Sequence, residues 1–328
     1  MNLFSRLLLF KNQTTDEAFE PDLEEALERA AARVEPRLKQ TRAWPKRYRK
    51  PISAALAQAR CVAEAIPGPV DIDAAHFAHD PYLHALFATP DDIRRALCSS
   101  KVMHDYVDSG IATEAYVLLS MRREEKHTLG MEVAGSMLNR DVPQRVVWFS
   151  DYQLIAPAPT LAQARANLRW TLFDRFLERL AGGVNDLRAE RDRLAEEKDH
   201  ALARLRRADA SQRSEVQQRA DRCLKQLGEA MHCLEPDYLV EIFGTVLSHP
   251  EDCLFLREQT LRIDSMGVVR GDGGDSNGSL LNFVELIERY HEPRTVVLVH
   301  CPEIHPMTRE ERLNEAERWL GRGANPLK

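Results

Sequence analysis

The chain has 328 residues, with 45 Lys and Arg against 51 Asp and Glu, a net charge of −6 and a pI of about 6.0. An apolar share of 44% beside 29% charged residues excludes wholesale disorder and fibrous repeats. The acidic balance supplies no overall field for nucleic acid, and the modest content of Gly (15) and Pro (17) leans the chain toward helix.

Residues 1–110 read as a helical region. Leu23, Ala26, Leu27, Ala30, Ala31 and Val34 recur at helical spacing, and Pro36 ends or bends that helix. A second helix is expected over 51–65 from Ile52, Ala55, Leu56, Ala59 and Val62, closed by Pro67-Gly68-Pro69. Asp80 before Pro81, and Thr89 before Pro90, mark two short helices, each with a capping side chain ahead of Pro at the first helical position. From residue 115 the period falls to two. Val117, Leu119 and Met121 share one face; Leu129, Met131 and Val133 resume the spacing beyond a charged turn at 122–126. Runs at 145–149 and 153–156 complete an antiparallel meander expected over 111–158.

Residues 160–248 read as a long helical insertion, with Leu161, Leu168, Leu172, Phe176 and Leu180 aligned and Gly182-Gly183 a candidate break. Residues 184–227 contain neither Gly nor Pro and carry 11 bases against 9 acids, a nearly neutral stretch suited to protein contact. A 3-4 spacing picks out Val184, Leu187, Arg191, Leu194, Lys198, Ala201, Leu205 and Ala208. A second, out-of-phase seam runs through Val216, Ala220, Cys223, Leu227 and Met231. With polar residues 209–214 between the seams, the segment is either an antiparallel hairpin, favoured by its comparable arms, or a stuttering rod.

Residues 249–328 return to strand patterning at 254–256, 261–263 and 268–269. A Gly-rich loop at 271–278 precedes a helix expected over 279–291. Residues 296–299 are apolar throughout, as in a strand buried on both faces, and Thr308 with Glu311 announces a last helix. The economical assembly is α+β: a helical N-terminal region and a mainly antiparallel sheet core interrupted by the long coiled-coil-like segment. The rival arrangement joins two small domains through a helical rod.

Several local patterns have the residue types of a site. In the Gly-rich loop, Ser279 and Leu280 stand where a phosphate-binding loop needs Lys and Ser or Thr, and Ser276 breaks the dinucleotide pattern. Gly273 and Val284 occupy the first and last ligand positions of a calcium loop, so the segment reads as an exposed connection. The six cysteines lack C-x-x-C spacing and read as reduced thiols. His76 and His79, flanked by Asp71, Asp73, Asp80 and His84, offer imidazole and carboxylate ligands to a transition metal. His300, Cys301 and His305 lie beyond the end of an apolar strand, where sites in sheets gather, although His300 and Cys301 should point to opposite faces. Residues 37–50 hold seven bases and no acid; Arg42, Trp44, Lys46, Arg47, Tyr48, Arg49 and Lys50 could neutralise phosphates while the rings stack on bases or sit at a membrane surface. The plainer reading is a linker whose Trp44 docks on the helical region.

No nucleophile elbow, H-E-x-x-H or kinase pattern occurs in the sequence. Residues 7–10 form too short an apolar run for a signal peptide, and no apolar stretch of ~18 residues occurs, so a cytoplasmic location is expected. The leading expectation is a non-enzymatic interaction or adaptor protein without a cofactor. It would self-associate or grip a partner helix through the seam of Leu187, Leu194, Ala201, Leu205, Val216 and Leu227. The alternatives are polyanion binding through 37–50, and a metal-dependent enzyme at His300, Cys301 and His305 or at His76 and His79.

Overall fold

In the computed structural model the described residues are 20–110, 113–134, 137–209, 211–247, 249–270, 278–289 and 291–302. The apolar N-terminus, the Gly-rich loop at 271–277, His305 and the last expected helix lie outside them. The chain divides into two compact units, Met1–Cys61 with Arg169–Cys253, and Val62–Leu168 with Leu254–Lys328.

The first unit is helical. α1 (Glu20–Arg33) buries Ala26, Leu27, Ala30 and Ala31, the stripe read from the sequence, with Val34 buried just beyond its end. Pro36 opens a short 3-10 helix (Pro36–Gln40) capped by Glu35. α2 (Lys46–Ala65) begins five residues before the expected start and takes Pro51 inside it, forfeiting one helical hydrogen bond. α7 (Leu161–Arg207) runs unbroken through Gly182 and Gly183, because Leu180 and Val184 on either side are buried and anchor the turn.

A tight turn joins α7 to α8 (Arg213–Cys233). The Asp209 carboxylate accepts from the Ser211 and Gln212 backbone N–H groups and from the Ser211 hydroxyl. Glu197 and Cys223, nearly equidistant from that turn, line the same groove, so the two helices run antiparallel as a hairpin. α9 (Pro236–Leu247) follows, with Leu239, Phe243 and Leu247 buried.

Among the described residues the second unit holds seven strands and four short helices. β1 (Val70–Asp71) precedes α3 (Ala74–Phe77), α4 (Pro81–Leu86), α5 (Pro90–Ser99) and α6 (Lys101–Asp108). Asp80 caps α4, as read from the sequence, and at the start of α5 the expected cap Thr89 forms a capping box with Asp92. β2 (Ala115–Ala134) and β3 (Met137–Ala158) form one long ribbon, followed after the helical insertion by β4 (Leu254–Ile263), β5 (Val268–Val269), β6 (Ser279–Glu288) and β7 (Arg294–Cys301).

The sheet order is β1-β7-β2-β3-β5-β4-β6, and β6 also pairs with β7, so six strands close into a ring with β1 added in parallel outside it. Every other pairing is antiparallel. The fold is α+β.

Three expectations are corrected here. Residues 122–126 are strand rather than turn, residues 254–263 form one strand rather than two, and 279–288 are strand β6 rather than a helix. The run Leu280 to Ile287 is apolar enough to suit either state. Ten successive pairings with β4 decide for strand.

β3 carries three register shifts against β2, located at Asp141, Asp151 and Ala156, each in the left-handed region with φ of 58°, 50° and 57°. At the middle one Arg294 clamps the bulge. It donates to the Asp151 carboxylate at 2.7 Å and to the Ser120 hydroxyl at 2.7 Å, and it holds Asp151 below the usual carboxylate range.

The core gathers Leu83, Leu86 and Phe87 from the helices with Val117, Leu119, Met121, Phe149, Phe283, Val297 and Val299 from the strands. Val296 through Val299 are all buried, as the uninterrupted apolar run requires. Among the described residues no helix is long and apolar enough to cross a membrane.

Candidate functional site

Two clusters of polar side chains emerge, one in each unit. In the second unit, Asp71 ends β1 and lies in register with His300 near the end of β7. Its carboxylate meets His300 Nδ1 at 2.6 Å, while Glu114 meets His300 Nε2 at 3.2 Å and the Tyr116 ring stacks on the imidazole at 4.4 Å. His76 Nε2 approaches the other Asp71 oxygen at 3.8 Å, and its Nδ1 contacts Asp73 at 2.7 Å. Burial opposes ionisation of Asp73, but hydrogen bonds from His76 outweigh it and keep the carboxyl below its ordinary range. The same contact with Asp73 raises His76.

The structure thus joins one residue from each histidine group and leaves the others apart. His79 faces a separate groove of about 530 Å³, beside His84 and Leu281. Cys301 is buried, on the opposite side of the strand from His300, and burial pushes its thiol up to about 12, which removes it as nucleophile or ready ligand. His305 lies outside the described residues. Among the described residues no group of three or more His, Cys, Asp or Glu could hold a metal ion. His300 meets a carboxylate at each ring nitrogen and so links β1 to Glu114. Its ring nitrogens meet only the carboxylates of Asp71 and Glu114 among the described residues.

The basic stretch 37–50 belongs to the first unit, and three of its seven bases pair with that unit's own acids. Arg37 pairs with Glu35 at 3.0 Å, Lys39 with Glu28 and Arg49 with Glu24. Tyr48 is fully buried: its hydroxyl donates to the Pro236 carbonyl at 3.2 Å and its ring meets Phe243 edge-on at 5.2 Å. Burial raises its phenol, and the ring has no face left to stack on a base. Trp44 leans on Tyr48 at 5.1 Å. Arg42, Lys46, Arg47 and Lys50 remain exposed.

The hairpin seam is covered in part, with Met231 at its end exposed. Val184, Leu194 and Ala201 on α7 and Ala220 and Cys223 on α8 are buried, while Leu187, Leu205, Val216 and Leu227 are half-buried. The buried positions of the two out-of-phase seams are thus divided between the two arms of the hairpin. A partner would have to meet the remaining faces. From Arg191 onward the side-chain bonds of α7 stay on the helix itself: Arg191 with Asp192, Arg193 with Glu190 and Glu197, and Lys198 with Asp199.

Near the turn the arms enclose a polar groove of about 710 Å³ into which Arg204 and Arg207 point from α7 and Arg219 and Arg222 from α8. Each pair is spaced three apart and so shares a helix face. Among the described residues none of the four is ion-paired; Arg222 Nε makes a long contact of 3.4 Å with the Gln218 carbonyl. The groove also holds two carboxylates. Glu197 bonds Arg193 at 2.8 Å, and Glu215 sits in the first turn of α8, where the helix end favours negative charge.

The charge balance of the units is uneven: the first carries 26 bases against 25 acids and the second 19 against 26. The groove thus belongs to the unit that lacks the chain's net negative charge. Sequence reading sees the seams but not this site, since R-x-x-R in each arm becomes one site only once the antiparallel register is known. No family model, no curated protein and no solved structure matches the chain.

Proposed function

We propose that the protein acts by binding, as a non-enzymatic interaction protein whose helical hairpin receives an anionic partner. The observation that carries this reading is the convergence of Arg204, Arg207, Arg219 and Arg222 on one groove, with none of them ion-paired among the described residues. Four guanidinium groups facing one another raise the local potential, and an anion entering between them relieves that repulsion. The seam that holds the arms together supplies the scaffold. The histidine cluster supports catalysis less well, because both nitrogens of His300 are already engaged.

Retention on a heparin column tests the proposal. The full chain is expected to bind and to elute with salt, and the variant R204Q/R207Q/R219Q/R222Q to elute earlier. The variant R42Q/K46Q/R47Q/K50Q should elute with the parent. Equal elution of parent and hairpin variant would remove the hairpin from the reading.

A further inference from the structure

We infer that the anion held in the hairpin groove is a compact ligand carrying several linked phosphates, of the inorganic polyphosphate type; this rests on the anionic-partner reading above. The groove's volume of about 710 Å³ falls within the range of small-molecule sites, roughly 300–1,000 Å³, and suits a compact ligand rather than an extended strand. Four arginines in two i,i+3 pairs line the groove, two from each arm of the hairpin. That arrangement matches several phosphate groups in a chain better than one carboxylate, because each guanidinium engages phosphate oxygens bidentately.

Two rival ligands fit less well. No residue lining the groove is aromatic, so nothing in it stacks a nucleobase, which weighs against a nucleotide or a single nucleic-acid strand. The lining is mainly polar, with Ala208, Val216 and Cys223 its only apolar contributors and Cys223 itself buried, so an amphipathic acidic helix finds no apolar row to fill. Gln212, at the mouth beside the turn, adds amide donors to the same lining.

The test is calorimetric titration of the full chain at low salt with sodium tripolyphosphate, orthophosphate and ATP, with heparin retention measured on the same preparations. One tripolyphosphate is expected per chain, bound more tightly than orthophosphate and weakened by added salt. The exposed double variant R207Q/R219Q, checked for helicity by circular dichroism, is expected to bind at least about tenfold more weakly, since charge-assisted contacts are lost. R42Q/K46Q/R47Q/K50Q should bind as the parent does. Tripolyphosphate binding that ignores R207Q/R219Q overturns the site. ATP binding far tighter than tripolyphosphate places a base in the groove and overturns the ligand class. Heparin retention without a tripolyphosphate isotherm overturns this inference while leaving the anionic-partner reading intact, and loss of both overturns the two together.

Discussion

Glu35 offers a quantitative handle on how the helical unit is fastened. Its carboxylate is buried between the 3-10 helix and α7. It accepts from the Arg37 backbone N–H at 3.1 Å, from Arg37 Nε and Nη2 at 3.0 Å each, and from Arg188 Nη2 at 2.5 Å. The Arg37 side chain does most to lower the carboxyl, burial opposes it, and Arg188 adds to the lowering, leaving it at about 2 against an ordinary 4.5.

That difference corresponds to roughly 3 kcal/mol of preference for the ionised form in the folded state. Arg37 is more than half exposed and its share is screened, so about 2 kcal/mol is the expected contribution to stability near neutral pH. Glu35→Gln keeps an oxygen able to cap the Arg37 N–H and removes only the charge. The sign follows from the depressed value. The stabilisation is complete above about pH 4.5 and is lost as pH falls toward 2.

Urea unfolding followed by far-ultraviolet circular dichroism, run at about pH 7, 5 and 3, should therefore show a parent–variant gap of about 2 kcal/mol that narrows below pH 4.5. A gap that stays constant down to pH 3 would assign the effect to shape. A gap under about 0.5 kcal/mol at neutral pH would refute the reasoning outright.

Glu285 is 3% exposed and held by Arg257 at 2.6 Å and Arg123 at 3.0 Å, so Glu285→Ala should cost about 3 kcal/mol in the second unit by urea unfolding; a loss below 1 kcal/mol would contradict the pairing. Gly68 has φ +115°, and an added Cβ would lie 2.2 Å from the Leu298 carbonyl oxygen, so Gly68→Ala should lower stability by at least about 2 kcal/mol, read as a fall in Tm. With its thiol raised to about 12 by burial, Cys301 should resist iodoacetamide at pH 7 to 9 in the folded protein while half-buried Cys233 is labelled, as peptide mass spectrometry would show. Labelling of Cys301 at the rate of Cys233 would deny its burial.

The legible parts of this fold are those whose determinants lie within a few residues. Asp80 accepts from the Tyr82 N–H two positions on, the Thr89 N–H donates to the Asp92 carboxylate three positions on, and 296–299 announces a buried strand because every side chain there is apolar. Residues 122–126 are all charged, so no apolar alternation marks them as strand, and their pairing partners lie 20 or more residues away. The contact of His300 with Asp71 spans 229 residues, and the arginine groove depends on the phase of one arm against the other. Composition and local period contain neither. What the sequence could show of the hairpin was its two seams and the polar break between them.

The closed ring has a consequence for the order in which the chain can assemble. β2 must wait for β7, since Ala115 pairs with Cys301, whereas the α7–α8 hairpin between them depends on a turn of a few residues. During synthesis the insertion can be complete while the ring around which it is spliced still lacks β4 to β7. A chain halted at Cys253 would carry every residue of the helical unit, yet it would hold the β2–β3 ribbon with an apolar edge and no strand to close it.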